Sequence, residues 1–147
     1  MVEIRDIQEN DRARWEELFL AYGVFYQTDF TPDILEGVWA WLMDDATPSY
    51  GIVSVDSATG SATVTGFALF RPLLDTFTAR RSWFLDDLYV DPGFRGSGAA
   101  TDLIAEVGRR AAGAPVRWFT GETNLTAQSI YNKVAKRTDY LTYEMET

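Results

Sequence analysis

Residues 82–120 carry the pattern that most limits the architecture of this chain. A β-prone run, SWFLDDLYVD (82–91), meets Pro92 and three glycines, Gly93, Gly96 and Gly98. An amphipathic stretch from about 97 to 112 follows, with Leu103, Ile104, Val107 and Ala111 on one side and Asp102, Glu106, Arg109 and Arg110 on the other. After Pro115 comes a second β-prone run, VRWFT. Strand, glycine turn, helix and strand make one crossover unit, whose two strands run parallel while the helix covers one face of their sheet.

Everything upstream reads as antiparallel. Residues 2–7 alternate like a first strand, and Asn10 or Asp11 can cap a helix carrying Trp15, Leu18, Phe19 and Tyr22 at helical spacing. Thr31-Pro32 is a cap with proline in the first turn, opening a helix with Ile34, Leu35, Val38 and Leu42 inward, ended by Pro48. Segments 50–56 and 62–70 flank the turn cluster SATGS and predict a hairpin. Downstream, Asn124 to Lys136 predicts a last helix and YLTYEM a closing strand. The expectation is a single domain over 1–147 with an α/β fold of the α+β kind. Its central sheet is mixed and mostly antiparallel, with flanking helices.

The glycines sit where a helix begins, and there the first N–H groups lack intrahelical acceptors and carry partial positive charge. A loop of small residues, Gly96-Ser97-Gly98-Ala99-Ala100, lets phosphate oxygens approach that backbone, and Arg95 adds a fork of donors. A tight strand-to-helix turn alone also accounts for Pro92 and the glycines. A nucleotide-hydrolysing loop needs Lys-Ser or Lys-Thr after its last glycine, where Ala99-Ala100 stand. A dinucleotide loop needs glycine where Thr101 stands, and one late crossover makes a poor dinucleotide domain.

Composition removes other chemistries. With no cysteine and no histidine, the chain has no disulfide, no thiolate or imidazole metal site, and no Ser-His or Cys-His nucleophile. No metal is expected, and carboxylates, tyrosines, lysines and backbone amides are left for any reaction. A formal charge of −9 disfavours nucleic acid and anionic membrane as partners. The charged N-terminus lacks the apolar run of a secretory signal, so the reading is a cytoplasmic protein.

The segment LYVDPGFRGSGAATDLI resembles the acetyl-CoA-binding motif of the GCN5-related N-acetyltransferases (GNAT), Arg/Gln-x-x-Gly-x-Gly/Ala, met by Arg95, Gly98 and Ala100. The following VRWFTGETNLTAQSIYNKVAKRTDYLTYEM resembles the family's next segment, with Asn124, Ala127 and Tyr131 in its positions. Within the family, DDLYVDP with TNxTAQxxYNKVA and TDYLTYE is most similar to the group that acetylates polyamines, histone tails or D-amino acids.

The resemblance implies a GNAT fold in which the two parallel strands splay apart around the pantetheine arm of acetyl-CoA. It assigns the thioester to the backbone of Leu88, Tyr89 and Val90, and the pyrophosphate to Arg95, Gly96, Ser97, Gly98, Ala99 and Ala100. Asn124 would hold the pantetheine, Lys133 would reach the phosphates, and Tyr131 would protonate the departing thiolate. Tyr131 also lies on the apolar stripe of its helix, which suits a core residue equally. Asp86 and Asp87 are the candidates to attract a cationic amine and accept its proton, and simple alternation sends them to opposite faces, one to the pocket. The aromatic stretch Tyr22-Gly23-Val24-Phe25-Tyr26, with Asp29 following, resembles the family's outer wall of the acceptor pocket, so Tyr26 and Asp29 would contact the acceptor.

The implied activity is direct acetyl transfer to a primary amine, a polyamine or amino acid first. A protein lysine or N-terminus is the alternative substrate, and a noncatalytic acyl-CoA sensor the alternative function. A homodimer is the family's expectation.

Overall fold

The structure, a computed structural model, describes residues 2–58 and 60–147. The turn expected at 57–61 includes Thr59, which lies outside the described residues. Among the described residues five strands stand in sequence order across one sheet: β1 (Val2–Asp6), β2 (Tyr50–Asp56), β3 (Thr63–Asp75), β4 (Arg80–Val90) and β5 (Val116–Arg117). The first four pair antiparallel and only β4 and β5 run parallel. Helices α1 (Arg12–Phe25) and α2 (Pro32–Met43) cover one face, while α3 (Ala99–Ala111) and α4 (Leu125–Val134) belong to the other. This is the mixed α+β architecture expected.

Local chemistry explains the element ends. The Thr31 hydroxyl accepts the Ile34 N–H at 3.4 Å, and Pro32 supplies a helical φ at the first position of α2. Asp11 does not cap α1 through its side chain. A turn of 3-10 helix, Glu9–Asp11, precedes α1, and the buried Asp11 carboxylate accepts the Gln8 N–H at 2.8 Å and two Arg5 donors at 2.7 and 2.9 Å. Burial alone would raise its pKa, but the Arg5 hydrogen bonds, the Gln8 N–H and the Arg5 charge together hold it below the usual carboxylate range.

Period-two alternation along β2 and β3 divides the core in two. Trp15, Phe19, Trp39, Val53 and Phe67 pack between the sheet and α1–α2, with Trp15 stacked on Phe19 at 4.8 Å. Ile52, Phe70, Leu85, Leu103 and Val107 pack beneath α3. Phe67, Ile52, Val53 and Leu103 are fully buried, each contributing about 1.5–3 kcal/mol relative to exposure.

Two sequence expectations fail, both at the C-terminal edge. VRWFT pairs only at Trp83↔Val116 and Phe84↔Arg117. YLTYEM forms no strand, and residues 136–147 are exposed throughout without regular structure. A strand requires a neighbour as well as a β-prone sequence, and neither segment has one on its free side.

Candidate active site

Beyond Phe84, β4 and β5 share no ladder pair and the sheet opens. A cavity of about 550 Å³ fills the opening, lined by Tyr22 of α1 and Tyr26 just beyond its end, Leu88 to Val90 of β4, residues 94–101, and Asn124 and Tyr131 near and on α4.

At one end lies the glycine loop. Gly96 and Gly98 have φ of +84° and +85°, in the left-handed region that other residues enter only with strain. Asp91 sets the entry: its carboxylate accepts the Gly93 N–H at 2.8 Å and the Arg14 guanidinium at 2.6 Å, while Arg14 also donates to Val64 O at 3.0 Å. The loop is thereby tied to α1 and β3. Nothing lies within 4 Å of where a Cβ on Gly96 would stand, so the loop's face is open there; Ala99 donates its N–H to Ser97 Oγ at 3.4 Å, and residues 98–101 at the start of α3 line the cavity. Arg95 lies over the Tyr89 ring at 5.9 Å, at the cavity wall. Open amides, a helix N-terminus and one guanidinium form a donor set that fits a pyrophosphate.

The middle of the cleft depends on one irregularity in β4. Trp83 donates its N–H to Pro115 O at 2.8 Å, toward β5, whereas Asp91 donates to Thr65 O at 2.8 Å, toward β3. Residues an even number apart in a regular strand would face the same neighbour. The register shift between Leu69 and Phe70, which leaves Asp86 as the extra residue, reverses the sense. Counting back from Asp91, the N–H groups of Leu88 and Val90 point into the open side. That of Tyr89 points to β3, and its ring rather than its amide lines the cavity.

The same bulge corrects the expected facing of the acidic pair. Leu85 and Leu88 both belong to the α3-side core, so the two residues between them, Asp86 and Asp87, share the opposite face. They do not have the same role. Asp86 accepts the Arg71 Nε at 3.0 Å with both carboxylate oxygens, and Arg71 lies 5.2 Å over the Phe84 ring. Burial raises the Asp86 pKa and Arg71 opposes the rise. Asp87 is pushed up to about 6, chiefly by burial, with the Tyr22 hydroxyl hydrogen bond opposing and the Asp86 charge adding. A carboxylate there is mostly ionised at neutral pH yet basic enough to take a proton.

Tyr131 projects from α4 and packs edge-on against Trp118 at 5.4 Å. It is half-buried and lines the cavity, so it contributes to packing and to the site together. Burial and the nearby Tyr26 push its pKa up to about 12, which keeps the phenol protonated and able to donate. Asn124 accepts the Ala127 N–H at 3.2 Å as the cap of α4, and Tyr26 hydrogen-bonds its side chain.

Four expected residues do not line the cavity. Asp29 is exposed in the loop after α1 and Lys133 on the last turn of α4, while Asp86 is held by Arg71 and Asp87 lies beside the cavity-lining Tyr22. Tyr22 read both as core and as part of the aromatic wall of the acceptor pocket; its ring lies 4.9 Å from that of Tyr26 and it lines the cavity. Arg71 was not singled out from the sequence. Arg71 carried no local signal, because only the β3–β4 register sets it beside Asp86.

Among the described residues no helix is long and apolar enough to cross a membrane. Nor does any group of three or more acidic residues among them form a metal-binding cluster.

A parallel strand pair opened beside a helix N-terminus, with a protonated phenol lining the cleft and a raised carboxyl beside its Tyr22 wall, holds groups suited to acyl transfer. A sequence model of the acetyltransferase (GNAT) family matches residues 6–135. Over 144 residues the chain is 31% identical to the D-amino-acid N-acetyltransferase HPA3 of Saccharomyces cerevisiae, spanning 96% of this chain and 88% of that one. The protein therefore belongs to the acetyltransferase (GNAT) family, which uses acetyl-CoA, and is an acyltransferase enzyme. Its fold matches a ribosomal-protein-alanine N-acetyltransferase from Brucella melitensis biovar Abortus, with TM-score 0.78, 18% identity, and 100% and 99% of the two chains covered. It also matches AAC(6')-Iy in complex with the bisubstrate analog CoA-S-monomethyl-acetylneamine, with TM-score 0.82, 18% identity, and 100% and 99% covered.

Proposed function

We propose that this enzyme transfers the acetyl group of acetyl-CoA directly to the primary amine of a small cationic acceptor, a polyamine or an amino acid. The carrying observation is that Asp87, raised to about 6, contacts Tyr22, which lines a cleft that ends in the open glycine loop. Acetyl-CoA supplies an acyl group already activated as a thioester. Residues 95–100 hold the pyrophosphate, Asn124 holds the pantetheine, and the Leu88 and Val90 amides face the carbonyl oxygen, where they stabilise developing negative charge. Asp87 attracts the ammonium group, whose pKa near ~10.4 keeps it protonated in water, and takes its proton so that the nitrogen can attack. Tyr131 gives its proton to the departing sulfur. Tyr22 orients Asp87, and the Tyr22–Tyr26 wall suits a cation by its aromatic faces. Asp29 and Lys133 are assigned only to the mouth, for acceptor and phosphates respectively.

The reading includes a cytoplasmic location, in keeping with a cysteine-free acidic chain, and a homodimer. A release assay for CoA thiol, run with polyamines, amino acids, aminoglycosides and lysine peptides, tests it. Turnover on small amines is expected, and Tyr131→Phe should lose about 10²–10⁴-fold in kcat with acetyl-CoA affinity nearly unchanged. Turnover confined to peptides would make the protein-directed reading correct. Tight acetyl-CoA binding without thiol release from any amine would make the chain a sensor.

A further inference from the structure

The Arg71–Asp86 pair lies outside the chemistry assigned so far. Both residues are exposed, and Arg71 turns only its Nε to the Asp86 carboxylate, at 3.0 Å from each oxygen. Among the described residues its two terminal nitrogens have no hydrogen-bond partner. A guanidinium has five N–H donors in a rigid fork, so four remain, on the edge that matches a second carboxylate. Asp86 and the Phe84 ring, 5.2 Å from the guanidinium, hold the fork in place with that edge unengaged.

The β3–β4 register sets this fork beside Asp87. Leu69 stands opposite Asp87 and Arg71 opposite Phe84; Leu69 and Arg71 are alternate residues of one strand, about 7 Å apart on the α1–α2 face. Asp87, Asp86 and Arg71 thus form a shelf with a negative end and a positive end. Phe84 belongs to the last ladder pair before β4 and β5 part, so the shelf begins where the cleft opens. At its Asp87 end, Tyr22 joins it to the cavity. Phe119, 68% exposed, stands edge-on to Phe84 at 4.9 Å, so the fork and a bare ring rest on the same phenylalanine.

We propose that Arg71 reads a carboxylate carried next to the reacting amine, so that the acceptor is an α-amino acid with an aromatic side chain rather than a polyamine. This deepens the acceptor reading above and rests on it. The ammonium group goes to Asp87, the carboxylate one carbon away goes to the terminal nitrogens of Arg71, and the ring packs on Phe119. Two charge-assisted hydrogen bonds of about 2.8 Å joined by that short spacing bridge a gap of this size. A polyamine brings a second ammonium to the place where the fork stands. Like charge opposes it there, and the nearby Asp86 is already paired. Attraction of one acceptor and repulsion of the other act together.

Phenylalanine and phenethylamine differ only by the carboxylate, so their ratio of kcat/KM in the thiol-release assay isolates what Arg71 reads. The full chain should favour phenylalanine by about 10–100-fold, the range for a hydrogen bond to a charged group. Arg71→Gln should bring the ratio down toward one, with the loss in the KM for phenylalanine, and Arg71→Lys should restore part of it. The double variant Arg71→Gln with Asp86→Asn keeps the pair neutral overall and should show the same collapse. Phe119→Ala should lower kcat/KM for phenylalanine about 2–10-fold more than for alanine. A full chain that does not prefer phenylalanine to phenethylamine, or that prefers a polyamine, overturns the proposal. So does a ratio that survives in either glutamine variant, because Arg71 then serves only the fold. Those results leave acetyl transfer to small amines standing. Equal effects of Phe119→Ala on phenylalanine and alanine overturn the aromatic preference, and an absence of thiol release with every amine overturns this inference and the function together.

Discussion

The two sides of β4 differ sharply. Toward β3 it is paired from Arg80 to Val90 with one bulge, and toward β5 it is paired only at Trp83 and Phe84. The first side buries Phe67, Ala68, Leu69 and Phe70 almost completely, while the second opens onto Tyr131, Asn124 and the glycine loop. The comparison teaches that rigidity and reactivity are separated across a single strand. The ladder and the aromatic cluster hold β4 in place, so that amides on its other edge can be left without strand partners.

The largest expected effect comes from breaking the closed side. Phe67 is fully buried between Phe19, Tyr22 and Tyr89, at centroid distances of 5.8 to 6.2 Å, and Phe67→Ala should destabilise the fold by about 3–5 kcal/mol in chemical denaturation. Loss of activity there should track the unfolded fraction.

Asp87→Asn should do the opposite to stability. Its carboxyl titrates at about 6 in the folded protein against 3.8 in the reference, so between those values the unfolded chain releases its proton first. Stability falls as pH rises through that window and stays lowered above it. Removing the charge should therefore raise stability at pH 7 to 8 by about 2–3 kcal/mol, while turnover collapses and the acidic limb of kcat/KM near pH 6 disappears. An unchanged pH profile would remove Asp87 from its assigned role.

The smallest effect sharpens the comparison at the open side. Gly98→Ala puts a Cβ at φ +85°, costing about 1–2 kcal/mol by left-handed strain, and should weaken acetyl-CoA binding in calorimetry more than it alters the thermal midpoint. A midpoint loss with intact affinity would assign the glycine to the turn alone.

Much of this was legible in the chain itself. Periods of 3.6 and 2.0 marked the helices and the first four strands, and the proline-glycine punctuation marked the loop, because these signals are local. Arg95, Gly98, Ala100, Asn124 and Tyr131 were found by pattern, and all of these lie at the same cleft. The facing of Asp86 and Asp87 was misread because alternation assumes an unbroken ladder, and the bulge depends on the partner strand. Tyr22 read as both core and pocket wall, because an aromatic stripe looks the same whether it faces core or cleft.

What the sequence determined alone was whatever depends on neighbours within a few residues: the Thr31-Pro32 helix start, strand periodicity, and the backbone freedom of the glycine loop. Tertiary structure decided where β4 and β5 part, which amides of β4 face the opening, and that both carboxylates share one face with Arg71. It also decided that YLTYEM stays unpaired within its own chain. The reason is physical: a strand's hydrogen bonds, its bulges and the desolvation of its side chains belong to pairs of segments distant in sequence, and no local pattern encodes a partner.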